Sequence, residues 1–586
     1  MTDLATSSWK ESLTVEPPLA AEPGQRLSEG RAKRPIEVAR TRLLVAGVVF
    51  ALCFGVLGVR ILGLAITEDV EVAQSTTGRE ASTLGLARAD IVDRNGMLLA
   101  TNLPTVSLYV DQTKVIDPAA DADKLRTVLP EYSRETLVKR IIGDGRYVWI
   151  KRNLTPEQEY QINRLGLPGF AFEREERRVY PQGPLFAHVL GYTGVDNHGL
   201  SGLERGLDRS LATGRRDAPV MLSLDLRVQH ILAEELSRAI TEFEGVGGAG
   251  VVLDVDSGEI VAMVSLPSFD PNGKKQQDDP DQFNRVTKGV YELGSTFKAF
   301  TLAMALDYDV VNLHGGYDAS APIHIARFTI SDDHPQNRWL TVPEIFMHSS
   351  NIGAAKMALD VGAARQRAFL KKLGLLNPIA LEIPEVGEPL APTSKEWRDI
   401  STMTIAFGHG VAITPLHLVS GLATLVNGGI SRQPTLIKQP AGAAAPGKRV
   451  IKAETSEVMR RLLRLVVTDG TGKNASAPGY LVGGKTGTAE KASAAGYSKK
   501  SLISTFVGAF PMTHPRYVVL AMIDEPKGNK ASFGFATAGW TAAPVVSRVV
   551  TRVAPLLGIE PVDEESEPAR QELMVREISG AHLASF

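Results

Sequence analysis

The sequence predicts an α+β catalytic unit with one apolar helix ahead of it. Three observations carry this. β-rich segments stand at both sequence ends of residues 218–557, with helical segments between them. An uncharged stretch begins at Leu43. Three short strings fall in order inside the α+β unit: Ser295-Thr-Phe-Lys298, Ser349-Ser-Asn351 and Lys485-Thr-Gly-Thr488.

The apolar run covers Leu43 to Val59 and resumes after Arg60 with Ile61, Leu62, Leu64, Ala65 and Ile66. Residues 43–66 suit a single membrane-spanning helix, with Arg60 able to snorkel. Arg31, Lys33, Arg34, Arg40 and Arg42 precede the run, and Glu68, Asp69 and Glu71 follow it. Positive residues stay on the cytoplasmic side, so residues 1–42 belong inside and the rest outside, an inner-membrane topology. A cleaved signal peptide fits less well, because a leading tail of roughly forty residues is too long for an ordinary n-region. That tail is rich in Pro, Glu, Ser and Arg and reads as disordered.

Residues 69–217 mix short strand and helix signals with turns such as Asp93-Arg-Asn-Gly96. They hold no catalytic constellation. In 218–557, Val251–Asp254 and Ile260–Val264 flank Asp256-Ser-Gly258 and predict a hairpin. Tyr480–Thr488, Ser504–Phe510 and Tyr517–Ile523 predict late strands. Val228–Phe243, Ser295–Tyr308, Val342–Leu359 and Pro415–Leu425 predict helices between, and Ala543–Leu557 a last one. Early and late strands then close one sheet. Residues 441–447 read as a loop, and 558–586 as a flexible acidic tail.

Composition narrows the function. The chain has 586 residues, enough for two or three domains. Its 64 basic and 66 acidic residues nearly cancel, so no nucleic-acid partner is indicated. The single cysteine, Cys53, excludes an internal disulfide framework. His188, His334, His348 and His409 show no ligand spacing, so neither a metal nor a cofactor is expected.

The strings supply acyl-transfer chemistry. Serine needs a base to become a nucleophile. Lys298 lies three residues after Ser295, so on a helix the two share a face. Gly294 precedes the serine and places it at or near a helix N-terminus. A lysine acts as base once burial or a like charge lowers its pKa, and Lys485 provides such a charge. Ser349 can bridge the lysines and pass a proton to a leaving amine. Asn351 can hold a substrate amide by donor and acceptor. Lys485, Thr486 and Thr488 on one strand make a carboxylate site, with Gly487 letting a substrate backbone approach. An extended peptide can pair with such a strand edge. The N–H groups of Ser295 and Thr488 are the natural oxyanion donors. Each string alone is weak: Ser7 and Lys10 repeat the first spacing in the tail. Their joint order is specific. Asp469-Gly-Thr-Gly-Lys473 faintly mimics a phosphate loop, but Val467 and Asn474 occupy positions that need glycine and Ser or Thr. It reads as a turn.

With these strings the chain resembles the class B penicillin-binding proteins. Arg88-Ala-Asp-Ile-Val-Asp93-Arg94-Asn95-Gly96 and Tyr180-Pro181, Ala187-His188, Gly191 and Gly202-Leu-Glu204 match N-terminal signatures of that family. Phe407-Gly408-His-Gly410, Thr414-Pro415 and Asp524-Glu-Pro-Lys527 match later ones. Leu293 stands where many relatives carry proline, and Ala89 where many carry glycine. The Asn351-Ile-Gly353 form is closer to the cell-division type, called penicillin-binding protein 3. The resemblance implies a penicillin-recognising transpeptidase domain at 218–557, an antiparallel sheet with flanking helices, on an elongated pedestal of dimerisation type at 69–217. It implies D,D-transpeptidation of peptidoglycan stem peptides at the septum, inhibition by β-lactams, and work beside a membrane glycan polymerase of SEDS type and other division proteins. Three other readings compete: an elongation-type transpeptidase, a D,D-carboxypeptidase or β-lactam hydrolase, and a non-catalytic β-lactam-sensing membrane scaffold.

Overall fold

The computed structural model describes residues 44, 46–58, 88–213, 218–273, 279–325, 328–440, 446–493 and 496–575. Residues 44 and 46–58 are helical and exposed on all sides, Leu44, Val48, Leu52 and Phe54 among them. No helix among the described residues is long and apolar enough to cross a membrane. The rest of the 43–66 span lies outside the described residues, as do residues 1–42.

A first sheet with helices beside it is formed within residues 88–213. Strand β1 (Ile91–Val92) pairs with the long β2 (Leu98–Val110), which also pairs antiparallel with β3 (Val148–Leu154) and β4 (Phe170–Val179). Gly96, at φ +87°, makes the turn between β1 and β2 that the Asp-Arg-Asn-Gly run predicts. Helices α1 (Pro118–Val128), α2 (Arg134–Ile141) and α3 (Pro156–Leu165) cover one side of the sheet. Asp117 caps α1, and Thr155 forms a capping box with Gln158 on α3. Leu108, Val110, Leu125, Leu137, Ile150 and Ile162 form the core between helices and sheet.

The second half contains a five-stranded antiparallel sheet. Strand β5 (Gly247–Asp254) forms the expected hairpin with β6 (Ile260–Leu266). The late strands are β7 (Gly483–Ser493), β8 (Gly496–Phe510) and β9 (Tyr517–Asp524), and the spatial order is β7-β8-β9-β5-β6. Strand β9 pairs with β5 from Tyr517↔Asp254 to Asp524↔Gly247, so early and late strands do close one sheet. Both are buried along their whole length. Their side chains alternate between two cores. Val252, Val519 and Ala521 meet helices α4 (Leu226–Glu242) and, near the C-terminus, 542–553. Val251, Leu253, Leu520 and Met522 face the core that holds the central helices.

The central helices differ from expectation at two places. The predicted helix from Ser295 begins as a 3-10 turn over Gly294–Phe297 and becomes α5 only at Lys298–Asp307. The predicted helix 342–359 is two helices, α6 (Val342–Met347) and α7 (Asn351–Val361). Ser349 interrupts them at φ +60°, a left-handed conformation that ends a helix. Ser350 then caps α7 by accepting from the Gly353 N–H. Helix α8 (Pro415–Val426) is as expected, while α9 (Ala453–Thr468) was not foreseen. Part of the tail expected to be flexible carries structure. Residues 567–573 are helical, Ala569 and Val575 are buried, and Glu564 pairs with Arg464 at 2.6 Å.

Candidate active site

The three strings converge. The Gly294–Phe297 turn lays Ser295 half-exposed at the start of α5, and the first α-helical residue, Lys298, is 2% exposed. Lys298 Nζ donates to Ser295 Oγ at 3.0 Å, to Ser349 Oγ at 3.1 Å and to Asn351 Oδ1 at 2.6 Å. It also donates to the Ser349 carbonyl. From the opposite side Lys485 Nζ donates to the same Ser349 Oγ at 3.0 Å. The result is a continuous polar chain, Ser295–Lys298–Ser349–Lys485, across three elements distant in sequence.

Electrostatics follow from burial. Desolvation pushes Lys298 down to about 7, against the opposing pull of Asp333 and Asp332. It also pushes Lys485 well below the usual lysine range, and there the charge of Lys298 adds to the effect. From the sequence, both burial and the charge of Lys485 are expected to lower Lys298. In the structure burial is the first cause for both lysines, and their like charges disfavour each other's protonated form. Lys485 Nζ also lies 5.9 Å from the centre of the Phe346 ring, so one of its flanks is apolar.

Close backbone packing holds the nucleophile turn on strand β7. A Cβ on Gly487 would stand 2.3 Å from the Leu293 carbonyl oxygen, and one on Gly294 would stand 2.7 Å from that of Thr488. Gly487 therefore admits the Leu293–Thr296 turn. Gly294 is also at φ +53°. β7 is an edge strand, as a peptide-pairing strand must be. Thr486 Oγ1 lies 2.7 Å from Thr471 Oγ1, and Thr488 Oγ1 accepts from the Ala538 N–H at 3.0 Å.

A family model described as the penicillin binding protein transpeptidase domain matches residues 248–548. The chain is 40% identical to the probable peptidoglycan D,D-transpeptidase FtsI of Caulobacter vibrioides, over 90% of each chain. The protein belongs to the penicillin-binding protein family. A second family model, the penicillin-binding protein dimerisation domain, matches residues 85–216. Identity to the peptidoglycan D,D-transpeptidase FtsI of Escherichia coli K12 is 29%, covering 81% of this chain and 84% of that one. The transpeptidase domain of penicillin-binding protein 3 from Burkholderia pseudomallei superposes with a TM-score of 0.53 at 31% identity, covering 58% of this chain and 97% of that chain. Penicillin-binding protein 3 from Mycobacterium tuberculosis, in complex with aztreonam, superposes with a TM-score of 0.64 at 23% identity, over 82% and 98%. The class B, cell-division-type resemblance is borne out.

This penicillin-binding protein site includes groups that the strings did not reveal. Asp332 accepts from Ser350 Oγ at 2.8 Å and from the N–H groups of Asn351 and Ile352 at 2.6 and 2.9 Å. It anchors the start of α7 and so fixes Asn351 against Lys298. No spacing signal marks it, because it acts from a loop. Asn351 Oδ1 faces Lys298, and Nδ2 donates to the Ser331 carbonyl at 2.9 Å. Thr471 belongs to the segment that mimics a phosphate loop. That segment is a turn, as expected, and it buttresses the catalytic strand.

Proposed function

We propose that this chain is a serine-type peptidoglycan D,D-transpeptidase. Lys298 between Ser295 Oγ and Ser349 Oγ, with Lys485 on the far side, is the observation that carries the reading. Neutral Lys298 takes the Ser295 proton as Oγ attacks the carbonyl of a stem peptide's penultimate D-alanine. The N–H groups of Ser295 and Thr488 stabilise the oxyanion. Lys298 returns the proton through Ser349 to the departing D-alanine nitrogen, the C–N bond breaks, and an ester on Ser295 remains. Lys485, Thr486 and Thr488 hold the terminal carboxylate, with Gly487 keeping strand and nucleophile in register. Asn351 positions Lys298. An acceptor amine then attacks the ester, and its proton leaves by the reverse route.

A β-lactam offers a strained amide in place of the D-alanyl bond. Incubation with benzylpenicillin should add its mass to the chain, and Ser295→Ala should remove the adduct. An adduct that survives this substitution would overturn the nucleophile assignment. Rapid loss of the adduct from the unmodified chain would favour a D,D-carboxypeptidase or hydrolase.

The biological reading is septal wall synthesis in the inner membrane. It comprises a cytoplasmic tail at 1–42, an anchor at 43–66, a pedestal at 69–217 and an outer catalytic domain at 218–557. The FtsI names of the relatives and the charge bias around Leu43 support it. A transpeptidase needs glycan strands delivered near its cleft, and tethering beside a membrane polymerase of SEDS type raises their effective concentration. Depletion from growing cells should give filaments with stalled septa. Rounded cells that still divide would mark an elongation enzyme.

A further inference from the structure

The turn that carries Ser295 is held from behind as well as by strand β7. Residues 406–413 follow the helix Asp399–Ile405 and pack against this turn. Thr301 Oγ1, on α5, donates to the Ala406 carbonyl at 2.8 Å inside the core. At the other end, the Tyr291 N–H donates to the Ile413 carbonyl at 2.9 Å, and the Ile413 N–H donates to the Tyr291 carbonyl at 3.0 Å. Between these ties lies Gly408, buried and at φ +86°. A Cβ there would overlap the Gly294 carbonyl oxygen. The segment therefore rests directly on the peptide that joins Gly294 to Ser295.

That contact fixes more than a carbonyl. A trans peptide is planar, and its C=O and N–H point in opposite directions. With the Gly294 carbonyl pressed on Gly408, the Ser295 N–H of the same plane faces away from the segment. This N–H is one of the two donors that the transpeptidase reading assigns to the oxyanion. Glu292, just ahead of the nucleophile turn, holds the segment in place. Its Oε1 accepts from the Gly410 N–H at 2.8 Å, and its Oε2 lies 3.0 Å from His409 Nδ1. The Glu292 side chain is 14% exposed, so water competes little for these bonds. One carboxylate thus clamps the two residues that follow Gly408.

We propose that Glu292 is a positioning residue for acyl transfer: by clamping His409 and Gly410 it presses Gly408 on the Gly294 carbonyl, and so keeps the Ser295 N–H aimed at the oxyanion. The inference rests on the transpeptidase reading above. An oxyanion exists only after Oγ has attacked, so the clamp lowers the barrier without tightening substrate binding.

The test uses the full chain in detergent. Stopped-flow acylation by benzylpenicillin, and by 6-aminopenicillanic acid, which has the same ring system and no acyl side chain, separates the non-covalent dissociation constant from the acylation rate constant. Glu292→Ala should lower the rate constant about tenfold to a hundredfold with both compounds, less than the loss of a whole oxyanion donor, and leave both dissociation constants unchanged. Glu292→Gln keeps an acceptor for the Gly410 N–H and a hydrogen-bonding atom beside His409, and should acylate almost as fast as the unmodified chain. Glu292→Asp keeps the charge but is one methylene short of both partners, and should be slow; it takes the place of the alanine variant should that one fail to fold. A glutamine variant no faster than the alanine one, or slower than the aspartate one, would mean that Glu292 acts by its charge and overturns the inference. A loss confined to benzylpenicillin, or carried by the dissociation constant, would mean that Glu292 touches the ligand and overturns it as well. So does an unchanged rate constant in Glu292→Ala. Each of these outcomes leaves the Ser295 ester, and with it the transpeptidase reading, intact. Failure of the unmodified chain to form a penicillin ester on Ser295 overturns both.

Discussion

At the scale of single residues, the site is governed by where two lysines are buried. Lys298 and Lys485 are 2% and 0% exposed, and neither touches a carboxylate directly. The protonated form of Lys298 thus lacks solvent and has no carboxylate in contact, and burial outweighs the pull of Asp333 and Asp332 and brings it down to about 7. The sign of the pH dependence follows. The base form is the unprotonated one, so penicillin acylation should rise with pH through about 7 and level off above it. Below that value the rate should fall about tenfold per pH unit, because each unit removes nine-tenths of the remaining neutral amine. Lys298→Ala should cost about 10²–10⁴ in acylation rate and flatten this profile. Stopped-flow acylation kinetics between acid and alkaline pH measure both. A profile that stays steep in the variant would assign the titration to another group. The residue types were legible in the sequence, since Ser, Lys, Ser and Lys in order imply a relay. The balance between burial and like charge was not legible. It depends on how much protein covers each amine, and no spacing rule reports that.

At the scale of elements, the sequence was most readable where side-chain periodicity decides the fold. Strands β5, β6 and β9 each appear within a few residues of expectation, because alternating apolar residues buried on both faces leave few alternatives. Helix α9 is hard to read from the sequence although Met459, Leu462, Leu463 and Val466 recur at helical spacing and are buried. Its charged first turns masked the stripe. The broken helix at 348–350 has a different origin. Propensity favours helix throughout 342–359, and tertiary contacts override it. Asp332 gathers the Ser350 hydroxyl and the first N–H groups of α7, while the Ser350 N–H donates to the Ile345 carbonyl at 2.9 Å. These bonds compensate for the left-handed backbone at Ser349 and turn its hydroxyl toward both lysines. The second string is therefore a helix break by construction. A site residue in a strained backbone geometry is the kind of local conflict that periodicity reads as regular structure.

At the scale of the whole molecule, the N-terminal signatures explain how the pedestal is joined to the catalytic half. Asp93 Oδ2 accepts from the Leu226 N–H at 3.0 Å, Asn95 Nδ2 donates to Asp225 Oδ2 at 3.0 Å, and Arg94 pairs with Glu259 at 3.0 Å. One short loop thereby fixes the start of α4 and the edge of the catalytic sheet. Behind it, the two signatures meet each other. Glu204, fully buried, binds Arg88 Nε through Oε2 at 2.5 Å and Arg178 Nε through Oε1 at 2.7 Å. Arg88 also reaches the Glu204 carbonyl at 2.6 Å and Asp208 at 2.7 Å. Two guanidinium groups share one central carboxylate, and Arg178 is fully shielded from solvent. Removing that carboxylate strands Arg178 without a charge partner and leaves Arg88 with Asp208 alone. Breaking a buried pair this way costs about 3–5 kcal/mol, mostly as the penalty for the charge left behind. Glu204→Ala should lower the denaturant midpoint of unfolding accordingly. The relay around Ser295 is built from other elements, so the chain that remains folded should still form the benzylpenicillin ester. Unfolding followed by intrinsic fluorescence, with acylation measured on the same samples, separates the two effects. An unchanged midpoint would show that the network is not what holds this junction. Loss of acylation in fully folded chain would show that the pedestal junction reaches the catalytic relay directly.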